Sequence, residues 1–349
     1  MIYNITCVIL ILLWIILNQR PFNKYPEKLK IKIFFLSATL FLSLLMGVRS
    51  IDVGTDTCSY YNHYNIISYG NNFDLVKLHH SLDFEYGYII YMKVVSLIFK
   101  DYVFFQIISS IIICGLLFRF LYLESNYPLL SLLIILPETY LLGYNIQRQI
   151  LATVIVLTAF TFYQQNKNFK SILLLIVAFS IHTTTIFSIP IFILYKLRRF
   201  KSLVKIEPVL LIGFIFLFEI FLSMIPYIET YANYMDNHKV KQVVGSIKYL
   251  WAFESMVLIF MIYSNKYSNI LKIFSVFGLI YITAQICGMQ FNYFERLGTY
   301  YYPFLAISIP NILNGDKIHI RLIGETIIGL FFFLYFTISV GGQYEYGIY

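Results

Sequence analysis

Uninterrupted apolar runs recur along the whole chain, and several reach the ~20 residues that cross a hydrocarbon core. Lipid offers the backbone no hydrogen-bond partner, so such segments must be helices or the strands of a closed barrel. The runs are continuous rather than alternating in short blocks, which selects helices. Composition agrees: 59% of the residues are hydrophobic and 13% are charged, against about 45–50% and ~25% in soluble domains. A soluble fold would have nowhere to put that surface. The pattern predicts an all-α, polytopic integral membrane protein with about 10–12 transmembrane or re-entrant helices. No internal repeat or low-complexity linker interrupts it, so residues 1–349 read as one membrane domain.

Candidate segments are 2–18, 31–48, 85–99, 102–122, 128–143, 147–163, 171–195, 207–226, 249–264, 270–288, 298–314 and 320–340. The first lacks a basic start and a small-residue cleavage site, which predicts a retained helix rather than a cleaved signal. The formal net charge of +8 is accounted for mainly by Lys and Arg in short loops, as cytoplasmic loops require, rather than by a nucleic-acid partner. Arg20, Lys24, Lys28, Lys30 and Lys32 put the first connection in the cytoplasm and the N-terminus outside. Loop 49–84 is then external, Lys100 cytoplasmic, and Glu124 and Asn126 external.

If 128–143 and 147–163 both crossed, Lys167 and Lys170 would land outside. Basic residues also follow 171–195: Lys196, Arg198, Arg199, Lys201 and Lys205. Both conflicts disappear if 128–143 enters from outside and turns back, and if 171–195 is a cytoplasm-rooted helical pair bent near His182. Non-helical backbone at membrane depth is tolerated where it lines a cavity. A second external loop is expected at 227–247, with Asp236, His238, Lys239 and Lys241.

Ionisable residues near the membrane are costly enough to be functional candidates, and here they gather toward one face. Arg49, Asp52, Gly54, Thr55, Asp56, Thr57 and Tyr60 follow a membrane helix directly. They suit a rigid polar turn with Arg49 facing an anion, or a helix cap with a snorkelling Arg. Asp83 and Glu85 open a helix, where acids complement the dipole; the pair is a weak metal signal. Asn145, Gln147, Arg148 and Gln149 interrupt an apolar stretch where a helix restarts, which favours a bound anion. His182, flanked by Ser180, Thr183, Thr184 and Thr185, sits mid-run, and a histidine can act as general base near neutral pH. Arg296 precedes Tyr300, Tyr301 and Tyr302, which suit either an interfacial belt or sugar stacking. Cys7, Cys114 and Cys287 lie in apolar runs, Cys58 is alone in a polar loop, and no metal-binding spacing exists.

These pieces resemble the EpsG family, a branch of the Wzy-type polysaccharide polymerases of bacterial envelopes. The matching residues are Arg49 with Gly54, Thr55, Asp56, Thr57 and Tyr60; Glu85 with Gly87 and Tyr88; Asn145 with Arg148, Gln149, Leu151 and Ala152; His182; and Arg296. Thr183 departs from the basic or small residue expected after the histidine. The resemblance implies a GT-C-like membrane fold in the bacterial inner (plasma) membrane, with the site facing the periplasm or cell exterior. It implies an enzyme that polymerises undecaprenyl-diphosphate-linked oligosaccharide repeat units into O-antigen, capsule or exopolysaccharide without a cofactor or metal. A chain-length-regulating co-polymerase is a further candidate partner. In that chemistry His182 or Asp56 would take the acceptor proton, and Arg148, Arg296 and Arg49 would meet the diphosphate. Asn145, Glu85 and Tyr60 would complete the binding site. The alternatives are a metal-dependent GT-C glycosyltransferase using a monosaccharide phosphate lipid, which would lean on Asp83 and Glu85, and a flippase for lipid-linked oligosaccharides.

Overall fold

The computed structural model describes residues 2–19, 24–70, 73–197, 245–288, 296–315 and 317–340. The expected segment 207–226, most of the loop 227–247, and Arg20, Arg198, Arg199, Lys201, Lys205, Asp236, His238, Lys239 and Lys241 lie outside the described residues. Among the described residues there is no β-strand, and the protein is an all-α polytopic membrane protein. Glu27–Gly47, Tyr102–Glu124, Asn269–Ile286 and Ile318–Ser339 are each long and apolar enough to cross a bilayer. Contacts group the chain into two compact units: Met1–Ile186 with Gly315–Tyr349, and Phe187–Asn314.

In the first unit, α1 (Ile2–Leu17) and α2 (Glu27–Gly47) form a hairpin in which Trp14 meets Phe34, ring centroids 5.0 Å apart. The chain then forms α3 (Thr57–Tyr69), α4 (Leu75–Leu82), α5 (Tyr86–Ile98) and α6 (Tyr102–Glu124). α6 runs antiparallel to α2: Gly47 lies against Ile107, Gly115 against Thr39, and Phe35 against Phe118. A Cβ on Gly47 would come 2.9 Å from the Ile107 Cα, so the glycine lets the two backbones meet. One end of this bundle therefore carries Arg49, and the other carries Lys24, Lys28 and Lys30.

The thirteen residues of α5 span ~20 Å and do not cross. Its start lies beside Arg148. Its end is tied to α3, where the Tyr64 hydroxyl donates to the Phe99 carbonyl (2.6 Å) and Lys100 Nζ donates to the Ser68 carbonyl (2.7 Å). Just beyond, Gln106 donates to the Gly47 and Arg49 carbonyls. Lys100 is thus at the Arg49 end, and Glu124 and Asn126 are at the lysine-rich end, the reverse of the expectation.

The next segment also differs. α7 (Pro128–Ile135), a π-helical turn (Leu136–Tyr140) and α8 (Leu141–Asn145) form one continuous helical run. Pro137 cannot donate to the helical ladder, and the π turn absorbs that defect. The run climbs from the lysine-rich end to the Arg49 end, where the Tyr140 hydroxyl donates to the Leu42 carbonyl. The turn-back expected within 128–143 is absent, and the chain reverses instead at Ile146 (φ −93°, ψ 53°). α9 (Gln147–Gln164) descends, and α10 (Asn168–Ile181) returns. Lys167 and Lys170 consequently join Lys24, Lys28 and Lys30 without any re-entrant segment. The expected break at His182 is present: the residue is extended (φ −154°, ψ 119°) and a 3-10 stretch, Thr183–Ser188, follows. The last helix, Ile318–Ser339, packs beside α7, with Gly329 on Leu130 and the Tyr335 hydroxyl donating to Glu138 (2.7 Å).

The second unit contains α11 (Ile189–Leu197), α12 (Gly245–Tyr263), α13 (Asn269–Gly288) and α14 (Tyr302–Ser308), with a 3-10 turn at Ile309–Leu313. Phe274 and Phe277 of α13 pack on Phe304 at 5.1 and 4.8 Å. The last helix among the described residues, Ile318–Ser339, is α15.

Candidate active site

Three segments distant in sequence meet at the Arg49 end of the first unit. Glu85 stands at the N-cap of α5, Arg148 in the first turn of α9, and His182 just past α10. Glu85 Oε2 accepts from Arg148 Nη1 at 2.7 Å, and Oε1 pairs with His182 Nδ1 at 2.7 Å. The Thr183 backbone N–H is the carboxylate's third donor and the second on Oε1, at 3.2 Å. Burial alone would raise the Glu85 carboxyl. The His182 hydrogen bond and the charges of Arg148 and His182 outweigh it and hold the group at about 2.

Gly87 makes this approach possible. A Cβ there would lie 2.3 Å from Ser180 Oγ and 2.6 Å from the Ser180 carbonyl oxygen, so only glycine lets α5 lie against the end of α10. Arg148 is fixed by more than Glu85. Its Nη1 also donates to the Asp83 carbonyl (3.2 Å), and its guanidinium lies 4.0 Å over the Phe84 ring. Asp83 adopts a left-handed backbone (φ 53°), which turns that carbonyl toward the arginine. Tyr60 is buried against Phe84 and Tyr88, close enough to Arg148 for the guanidinium charge to act on its hydroxyl. Asp56 is close enough for its charge to act on the same hydroxyl.

Arg49 has a different fate. It is fully buried and spends its donors on the Met46, Val53 and Tyr144 carbonyls and Thr57 Oγ1, while stacking 4.6 Å over Tyr144. The anion contact expected of it is replaced by a clamp that holds the 49–57 turn. Asn145 completes that clamp: its Oδ1 accepts from the Thr55 N–H at 2.9 Å. Gly54 (φ +94°) sits where a Cβ would come within 2.7 Å of the Tyr144 carbonyl and 2.8 Å of Asn145 Oδ1. Arg296 belongs to the second unit, where it is exposed and its carbonyl accepts from Thr299.

Sequence reasoning missed Phe84 and His63. The His63 ring meets Phe84 edge-on at 4.5 Å, and burial together with the Arg148 charge lowers its basicity. Its three-residue spacing from Tyr60 on α3 was the available signal. Glu85 engages both oxygens with cations and a backbone N–H, and among the described residues no cluster of three or more His, Cys, Asp or Glu side chains forms a metal site.

The carboxylate accepts the Nδ1 proton, so in the neutral imidazole Nε2 presents a lone pair. Nε2 has no hydrogen-bond partner among the described residues. A carboxylate-oriented imidazole beside a fixed guanidinium can take a proton while stabilising an anion.

The sequence model of the EpsG family matches residues 32–348. The chain belongs to the EpsG family. It is therefore a polysaccharide polymerase-like membrane protein. No curated protein and no solved structure matches it. The motif residues that carry the family resemblance divide by role in this EpsG chain. Glu85, Arg148 and His182 form the ion cluster, whereas Arg49, Gly54 and Asn145 build the turn beside it.

Proposed function

We propose that the protein is a glycosyltransferase that joins undecaprenyl-diphosphate-linked oligosaccharide repeat units at the outer face of the plasma membrane. The observation that carries this reading is the Glu85–His182–Arg148 cluster with His182 Nε2 unpartnered among the described residues. The orientation follows from charge. Lys24, Lys28, Lys30, Lys167, Lys170, Lys317 and Arg321 share the end of the first unit opposite the cluster, which makes that end cytoplasmic.

In the proposed reaction an acceptor-sugar hydroxyl attacks the anomeric carbon of the lipid-linked chain. The new C–O glycosidic bond forms as the bond from that carbon to the diphosphate oxygen breaks. The hydroxyl proton passes to His182 Nε2, and the electron pair leaves with the diphosphate. Arg148, held by Glu85, the Asp83 carbonyl and Phe84, meets the charge that develops on the leaving oxygen. Glu85 keeps the imidazole in the basic tautomer and compensates its charge once protonated. Asp56 lies near enough to Tyr60 for its charge to act on that hydroxyl. Arg49 and Asn145 are positioning residues that fix the neighbouring turn.

The test is reconstitution of the purified chain with the lipid-linked repeat unit from its own gene neighbourhood, with and without EDTA, read as a polymer ladder. A ladder that survives EDTA, falls by about 10²–10⁴ in His182→Ala and persists in Asp56→Asn supports the proposal. Loss only in Asp56→Asn would move the base to Asp56. An EDTA-sensitive ladder would favour the metal-dependent glycosyltransferase. No ladder, with the lipid-linked unit crossing sealed vesicles, would favour the flippase.

A further inference from the structure

At the opposite end of the first unit, three cations surround one ring. Arg119 Cζ, Lys167 Nζ and Lys170 Nζ lie 5.9, 5.8 and 5.8 Å from the centroid of Phe162. They come from three places: the last turns of α6, the α9–α10 turn, and the first turn of α10. That turn is held tight by Asn166 in a left-handed conformation (φ 60°) and by the Lys167 N–H donating to the Phe162 carbonyl (2.9 Å). The bends around it keep the two lysines beside the ring.

None of the three cations forms an ion pair with a described residue. The Lys167 ammonium donates to Gln165 Oε1, at 2.8 Å. Glu124, on the last turn of α6, instead accepts from Gln164 at 3.5 Å. A ring quadrupole attracts each cation separately, but it does not offset their mutual repulsion. An anion placed among them would.

We propose that this corner binds the phosphodiester headgroup of an anionic phospholipid. Three features favour a lipid over a soluble anion. The corner lies at the end of α6, which is long and apolar enough to cross a bilayer, and at the start of the apolar helix α10. Phe169, between the two lysines in sequence, is 80% exposed and projects an apolar ring at the same level. The cations present long apolar stems that can lie along acyl chains while their heads meet phosphate. Basic pockets between membrane helices are suited to such headgroups. The site is independent of the proposed chemistry at Glu85, Arg148 and His182, which lies at the other end of α9.

Native mass spectrometry of the full, delipidated chain in detergent tests this, with phosphatidylglycerol or phosphatidylcholine as the titrant. One phosphatidylglycerol should be retained and phosphatidylcholine should not. Lys167→Gln with Lys170→Gln should weaken retention about thirtyfold, a factor of about five for each lost charge near the surface. Lys167→Arg with Lys170→Arg should retain it, which separates charge from folding. Equal retention of both lipids, or unchanged retention in the glutamine double variant, overturns the proposal. Displacement of the lipid by millimolar glycerol phosphate would also overturn it, by assigning the corner to a soluble phosphate.

Discussion

Replacing Glu85 by Gln keeps the side chain's shape and removes the charge that joins Arg148 to His182. The Glu85 carboxyl ordinarily titrates at 4.5 and is held at about 2 in the fold. At 1.36 kcal/mol for each tenfold change in proton affinity, the ionised form gains about 3 kcal/mol from its surroundings. Little of this is lost to solvent screening, because the Arg148 and Glu85 side chains are only 22% and 16% exposed. A depressed carboxyl contributes stability that is fully present above the unfolded value of about 4.5 and is lost as pH falls toward about 2. Thermal unfolding of the purified full chain at pH 7, 5 and 3.5 reads this directly. At pH 7 the Glu85→Gln variant should melt about 4 °C below the parent chain. The gap should be unchanged at pH 5 and narrower at pH 3.5. Equal melting temperatures at pH 7, or a gap as wide at pH 3.5 as at pH 7, would refute the argument that this carboxylate is the charged centre of the cluster.

Gly87→Ala should reduce polymer yield at least tenfold by lifting Glu85 away from His182, with overpacking strain of about 1–3 kcal/mol. Because a Cβ also meets the Ser180 carbonyl oxygen at 2.6 Å and its carbon at 2.7 Å, adding Ser180→Ala should not restore the yield; recovery would show that the backbone approach is not the constraint. Arg49→Gln should lower the melting temperature more than Arg148→Gln does, since it strands the buried Met46, Val53 and Tyr144 carbonyls at about 1–3 kcal/mol each. Sidedness can be read by thiol labelling of single-cysteine chains, in which every native cysteine other than the one tested is replaced by Ala. A membrane-impermeant reagent on intact cells should label Cys58 and an Asp101→Cys variant but not Gln165→Cys. Labelling at 165 and not at 101 would reverse the two ends.

The components of the cluster were legible because each is a polar residue in an apolar setting. His182 interrupts an apolar run, Arg148 stands where a helix restarts, and Glu85 opens one. Their pairing was not legible, because sixty or more residues separate Glu85 from Arg148 and ninety or more separate it from His182. It depends on α5 touching the end of α10, which only the close approach at Gly87 allows. Arg49 and Arg148 show the limit from the other side. Both are arginines next to a helix end and beside turn-forming residues, and sequence reasoning gave both the same anion. What separates them is the fold of their neighbours. The turn through Gly54 closes over Arg49 and supplies carbonyls to its donors, whereas Arg148 meets a carboxylate and a ring and remains partly open.

A topology built by counting crossings is a parity argument, so one mistaken crossing inverts everything that follows. Segment 85–99 is apolar enough to be counted, and counting it forced Lys167 and Lys170 to the side opposite Lys24, Lys28 and Lys30. The re-entrant segment at 128–143 then became necessary as a repair. The structure removes the first crossing, and the repair goes with it. α5 is short, and it contains Lys93, which a crossing helix would have carried to mid-membrane at a cost of roughly 2.5–3.5 kcal/mol even on a lenient scale. Here Lys93 Nζ instead donates to the Ile67 carbonyl of α3 at 3.2 Å and lies 5.3 Å from the Phe73 ring. The lysine was therefore the available sign that 85–99 stays at one face. Keeping α5 there also serves the site, because it brings the helix start that carries Glu85 to the level where α9 begins and α10 ends. The same short helix that spoils the crossing count is what brings the carboxylate to Arg148 and His182.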